Sequence, residues 1–96
     1  MKIKVRGYFT LKKAIGNNSE LKMEVENATL RGVLDNLSNR FGEEFTNLIF
    51  DPETKEVGKF NQILVNGRHY RCLANQLDTE LKEGDVVALL PAAGGG

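Results

Sequence analysis

Five consecutive apolar residues, Val86-Val87-Ala88-Leu89-Leu90, opened by Gly84-Asp85 and stopped by Pro91, constrain this chain more than any other stretch. A run of that length between turn residues reads as a strand buried on one or both faces. Pro91 has no backbone N–H, so sheet pairing ends there. Beyond it, Ala92-Ala93-Gly94-Gly95-Gly96 carries nothing larger than a methyl group, too little to pack on its own domain. The expected division is a domain over residues 1–90 and a flexible C-terminal tail over 91–96. Fully extended, that tail reaches roughly 20 Å at about 3.3 Å per residue. So slim an end suits insertion into a narrow cleft of another protein, with the Gly96 carboxylate presented for chemistry there. A frayed terminus or a cloning remnant would read the same way.

The rest of the chain places this strand. Ile3 and Val5, with Tyr8-Phe9 as a possible extension, alternate with Lys2, Lys4 and Arg6, and Leu21, Met23 and Val25 alternate with Glu20, Lys22, Glu24 and Glu26. Gly16-Asn17-Asn18 between them is turn chemistry, so the first unit is expected to be a β-hairpin. Leu30, Val33, Leu34, Leu37 and Phe41 then form one helical stripe, with Asn27 or Thr29 as the cap and Gly42 as the stop. Glu43 to Lys59 is the least regular part: an apolar run at Leu48-Ile49-Phe50, a turn at Asp51–Lys55, and Val57 returning along a second short strand. Phe60 to Val65 reads as a strand closed by the hairpin signal Asn66-Gly67. Leu73, Leu77 and Leu81 suit a segment crossing one end of the sheet, and Lys82–Asp85 is a turn.

That order is α+β, with one main helix for a mixed sheet of four to five strands. A right-handed crossover through the helix sets a later strand parallel to the first, and the apolar final strand suits the sheet centre. This is the layout of a β-grasp, or ubiquitin-like, fold. One helix covers only one face of such a sheet. If Val87 and Leu89 point toward it, Val86, Ala88 and Leu90 point away, as Leu64 does relative to Ile63 and Val65. Either residues 43–59 cover that second face, or Val86, Ala88, Leu90, Leu64 and Pro91 form a patch that docks a partner. Ordering the tail costs on the order of 1–2 kcal/mol per residue, and a tail without side chains offers little to offset that. Affinity therefore belongs to the domain body.

Composition narrows the chemistry. Lys+Arg and Asp+Glu balance at 13 each, giving no global field toward nucleic acid or an acidic membrane. The opening alternation is unlike a signal peptide, and no apolar run nears the roughly 20 residues of a membrane span, so a cytoplasmic setting is the default expectation. A single cysteine, Cys72, excludes an internal disulfide and a cysteine-based metal cluster, and is expected as a small core residue. Asp51, Glu53 and Glu56 match no calcium-loop spacing and suit a solvated turn. Arg68-His69-Tyr70-Arg71 resembles a phosphate or RNA contact but also an exposed strand after a turn, and His69 has only Cys72 nearby as a nucleophile. No metal site, bound cofactor or catalytic set is expected.

The opening Lys-Ile-Lys-Val, Ala28-Thr29-Leu30-Arg31, Ile63-Leu64-Val65-Asn66-Gly67, Leu81-Lys82-Glu83-Gly84-Asp85-Val86-Val87, Leu90-Pro91 and the closing Gly95-Gly96 together resemble the MoaD/ThiS family of ubiquitin-like sulfur carriers. Within it, the likeness is greatest to molybdopterin synthase small subunits. The sequence departs from that pattern at Ala92, where a second proline is common, at Gly94, and in the longer 43–59 connection. The resemblance implies that an E1-like adenylating enzyme (MoeB/ThiF-like) uses ATP to activate the Gly96 carboxylate, which a sulfur donor converts to a thiocarboxylate. A molybdopterin synthase large subunit (MoaE-like), or another acceptor enzyme, would take the tail and the sulfur for molybdenum or tungsten cofactor synthesis. Gly95 would pass a tight channel that any Cβ would obstruct. The chain would then be a non-catalytic co-substrate. The same activated acyl chemistry serves a protein modifier joined to lysine through Gly96, or a carrier for thiamine thiazole or tRNA thiolation.

Overall fold

The apolar run forms β5 (Val86–Leu90), and it is the middle strand of a five-stranded sheet ordered β2-β1-β5-β3-β4. The other strands are β1 (Lys2–Gly7), β2 (Glu20–Glu24), β3 (Gln62–Val65) and β4 (Arg68–His69). β5 runs parallel to β1, with Val87 beside Val5, and antiparallel to β3, with Leu89 beside Ile63. The computed structural model describes residues 1–26, 28–58 and 61–91. The alternative cap Asn27, the expected strand start at Phe60, and the tail glycines Gly95 and Gly96 lie outside the described residues.

One face of this sheet packs the core. Ile3, Val5, Ile63, Val87 and Leu89 are fully enclosed, and α2 (Leu30–Phe41) lays Leu30, Val33, Leu34 and Leu37 against them. Each such side chain contributes about 1.5–3 kcal/mol on leaving water. Thr29 caps α2, its Oγ1 accepting the Gly32 N–H at 3.1 Å. Gly42, at φ 78°, ends the helix in a backbone conformation that L side chains rarely adopt.

Two helices depart from the sequence expectation. β1 and β2 pair as a hairpin should, but α1 (Thr10–Ala14) interrupts their connection and buries Leu11 and Ala14, with Ile15 after it. Tyr8-Phe9 consequently leaves the strand. The approach of α1 is close: a Cβ on Gly7 would lie 2.8 Å from Ile15 Cδ1 and 2.9 Å from Lys12 Cα. The second departure is α3 (Glu43–Ile49), which starts directly at Gly42 and replaces the irregular segment. Phe45 and Ile49, four residues apart and hence on one helical face, are both fully buried. α3 packs against α1 and α2, so it stays on the helix side, and among the described residues the opposite sheet face is left uncovered. The turn after it matches expectation: Asp51 Oδ1 accepts the Glu53 N–H at 2.8 Å, and Phe50 and Val57 form an isolated bridge.

After β4 the chain crosses the sheet end in two 3-10 turns, Tyr70–Cys72 and Gln76–Asp78, with Tyr70 and Leu81 buried and Leu73 and Leu77 half-buried. Cys72 corrects the sequence expectation, because it is exposed. With three residues per turn, Tyr70 and Leu73 share the inward side and Cys72 falls outside it.

Candidate docking face and tail root

Strand alternation turns Val86, Ala88 and Leu90 to the face away from the helices, where each is half-exposed. Register assembles their neighbours: Leu64 sits beside Ala88 on β3, while Lys4 and Arg6 sit beside Val86 and Ala88 on β1. Arg6, Tyr8, Leu64, Val86 and Ala88 line a shallow depression of about 360 Å³ there. Four of the five residues expected to dock a partner are thus on one surface, and the half-buried Pro91 follows directly at its edge. Lys4 and Arg6 of β1, and Tyr8 just after it, are additions. The charged-apolar alternation of residues 2–6 already marks Lys4 and Arg6 as outward, but only the parallel register puts them beside β5.

The start of β5 is fixed by side-chain bonds. Asn66 and Gly67 form the β3–β4 turn at φ 51° and 85°, and Asn66 bonds twice to Val86: its N–H donates to the Val86 carbonyl at 2.8 Å, and its Oδ1 accepts the Val86 N–H at 2.9 Å. Asn66 Nδ2 donates to Asp85 Oδ1 at 3.0 Å, and Asp85 Oδ2 accepts the Lys82 N–H at 2.7 Å. Asp85 therefore closes the Gly84 turn and holds the hairpin tip at once. At the other end, the Tyr8 N–H donates to the Leu89 carbonyl at 3.2 Å. Because β1 and β5 are parallel, the Tyr8-Phe9 corner and the root of the tail share one end of the sheet.

Other candidate residues stand apart from this face or serve the fold. Arg71 Nε donates to the Tyr70 hydroxyl at 3.2 Å and its guanidinium lies over that ring, while His69 Nδ1 accepts the Arg71 N–H at 3.1 Å. Among the described residues no three of His, Cys, Asp and Glu converge as a metal-binding group, and no helix is long and apolar enough to cross a membrane. A cleft of about 520 Å³ between Phe50, Lys55, Tyr70 and Asn75 lies apart from the residues expected to dock a partner, and Arg31 and Asp78, which also line it, pair at 3.3 Å.

Residues 8–96 match the ThiS family. A protein of Archaeoglobus fulgidus named "Putative sulfur carrier protein" is 33% identical over 80 residues, covering 83% of this chain and 88% of that one. The solution structure of small archaeal modifier protein 1 from Methanosarcina acetivorans superposes with a TM-score of 0.83 at 28% identity, covering 99% of this chain and 96% of that one. A structure from Pyrococcus furiosus titled "Putative molybdopterin converting factor, subunit 1" superposes with a TM-score of 0.72 at 28% identity, covering 97% and 99%. With the family match spanning nearly its whole length and a ubiquitin-like β-grasp beneath it, this chain belongs to the ThiS family of ubiquitin-like sulfur carriers and modifiers.

Proposed function

We propose that this chain is a sulfur carrier, specifically the small subunit of a molybdopterin synthase, and that the C-terminal carboxylate of Gly96 is its working group. Carboxylate oxygen attacks the α-phosphorus of ATP in an adenylating partner, pyrophosphate leaves, and the acyl carbon gains AMP as a good leaving group. A sulfide-level donor displaces AMP and leaves the thiocarboxylate. A large synthase subunit then takes the tail and uses the sulfur in building a dithiolene. The chain supplies no acid, base or metal to these steps; ATP and the catalytic groups belong to its partners, in the cytoplasm.

The observation that carries this reading is a half-open apolar face running along β5 to the tail root, in a chain whose family match extends through residue 96. Ordering five tail residues costs about 5–10 kcal/mol at 1–2 kcal/mol each, so Leu64, Val86, Ala88, Leu90 and Pro91 must supply the docking affinity while Gly95 and Gly96 supply passage and chemistry. The likeness to a small archaeal modifier protein favours a second reading, in which the same activated acyl group ends in an isopeptide bond to lysine. Carriage of sulfur to thiazole or tRNA would use the identical tail. Intact mass of protein purified from its native host separates these classes. Oxygen replaced by sulfur at Gly96 supports the carrier, and Gly-Gly stubs on lysines of other proteins support the modifier. Unchanged cofactor synthesis after deletion of Gly95-Gly96 would refute the molybdopterin reading, and unchanged lysine conjugation after the same deletion would refute the modifier.

A further inference from the structure

Phe9 combines two features that the free domain does nothing to offset. Its backbone lies at φ 55° and ψ −123°, the conformation of the first central residue of a type II′ turn, which glycine normally holds. The Leu11 N–H closes that turn onto the Tyr8 carbonyl at 3.1 Å. A bulky residue there is a steric outlier, unlike Asn17 and Asn66, whose side chains tolerate positive φ. The ring is also 77% exposed, the most exposed large apolar side chain among the described residues. Phe9 therefore carries backbone strain without returning core burial, and such an outlier points toward function.

Its position says which function. The parallel β1–β5 pairing sets Gly7 beside Leu89, so Phe9 stands at the end of the sheet from which the chain continues past Pro91. The five residues beyond reach at most about 18 Å, so any enzyme acting on Gly96 has the rim of its cleft against this end. Arg6 and Tyr8 line both the depression over Val86 and a second one beside Phe9, making the two surfaces continuous. Arg6 and Lys12 line that second depression with Phe9, and its one acid, Glu20, is already paired by Arg6 at 3.2 Å.

We propose that Phe9 is an aromatic anchor that inserts into an apolar pocket with an acidic rim, at the mouth of the cleft where the adenylating enzyme receives the tail. This rests on the carrier reading above. Phe9 touches no reacting atom, so it acts on encounter and residence rather than on the chemical step.

The test compares wild type with Phe9→Gly, Phe9→Ala and Phe9→Tyr in thermal melts and in AMP formation with the adenylating enzyme of the same organism. Phe9→Gly should melt a few degrees higher because the strain is relieved, while its KM rises roughly tenfold or more at unchanged kcat. Phe9→Ala should raise KM similarly without that thermal gain, and Phe9→Tyr should stay within about threefold of wild type. Added salt should raise the wild-type KM if the rim is acidic; a salt-indifferent KM removes that part of the proposal. A Phe9→Gly protein that melts lower than wild type, or Gly and Ala variants with wild-type KM, overturns the anchor and leaves the carrier reading intact. Wild type that the enzyme fails to adenylate overturns both.

Discussion

Ile63 and Leu64 are adjacent on β3 but face opposite sides of the sheet, so truncating each to alanine separates folding from docking. Ile63 is fully buried beside Leu89, and Ile63→Ala should cost about 2–4 kcal/mol from lost transfer energy and the cavity left behind. For 96 residues the unfolding entropy is about 0.2 kcal/mol/K, so the melting temperature should fall by about 10–20 °C. Leu64 is partly exposed on the opposite face, and Leu64→Ala should forfeit less than Ile63→Ala, about 1–2 kcal/mol, or about 5–10 °C. Closing a partner over that face removes the remaining exposed part of the side chain from water, worth at most about 1 kcal/mol more. Leu64→Ala should therefore weaken binding to the adenylating enzyme or the acceptor subunit about fivefold. Thermal melts followed by circular dichroism, paired with calorimetric titration of the partner, read both quantities. A Leu64→Ala protein as unstable as Ile63→Ala would mean that the face is not open. A stable one that binds undiminished would mean that docking lies elsewhere.

Three further substitutions probe the frame that holds the strand. Gly7→Ala places a methyl group 2.8 Å from Ile15 Cδ1 and 2.9 Å from the backbone of α1, and should destabilise by about 1–3 kcal/mol; an unchanged melt would contradict that close approach. Asn66→Ala removes the side-chain bonds to Val86 and Asp85 and adds strain at φ 51°, whereas Asn66→Gly removes the bonds alone. The alanine variant should lose about 1–2 kcal/mol and the glycine variant less, with faster hydrogen exchange at the Val86 amide in both; protection as in wild type would show that the side chain is dispensable. Thr29→Ala should cost about 1 kcal/mol by uncapping α2, and Thr29→Ser should restore most of it in the same melts.

What the sequence discloses follows the length and purity of each pattern. The α2 stripe spans three turns and β5 is apolar at every position, so both are legible, and the alternation at Val86–Leu90 already marks a second apolar face without saying whether residues 43–59 cover it. The two short helices are not. α1 has five residues, too few to display a period, and α3 shows its face through only two buried residues, Phe45 and Ile49. Their neighbour Leu48 is 37% exposed, so the contiguous Leu48-Ile49-Phe50 run that looks strand-like is divided between inside and outside. Cys72 misleads for a related reason, since a 3-10 turn changes which neighbours share a side. Phe9 gives no sequence signal at all: an aromatic residue two positions beyond a strand reads as core, and only its backbone angle and exposure mark it.

Mounting the tail on β5 has a mechanical consequence. Drawing a chain end into a partner's cleft orders several residues and tensions the strand to which they attach. A strand at the sheet edge, paired on one side, would open locally at low free energy and fray toward the cleft. β5 is instead paired on both sides, to β1 and β3, and pinned at its start through Asn66 and Asp85. Its two inward side chains, Val87 and Leu89, are fully enclosed, so slipping it by one residue would turn both outward. Central placement thus lets one short strand carry core residues on its inner face and leave Val86, Ala88 and Leu90 partly exposed on its outer face, where the proposed partner would dock. It also gives the proposed working end at Gly96 a root that partner binding would not readily unpair.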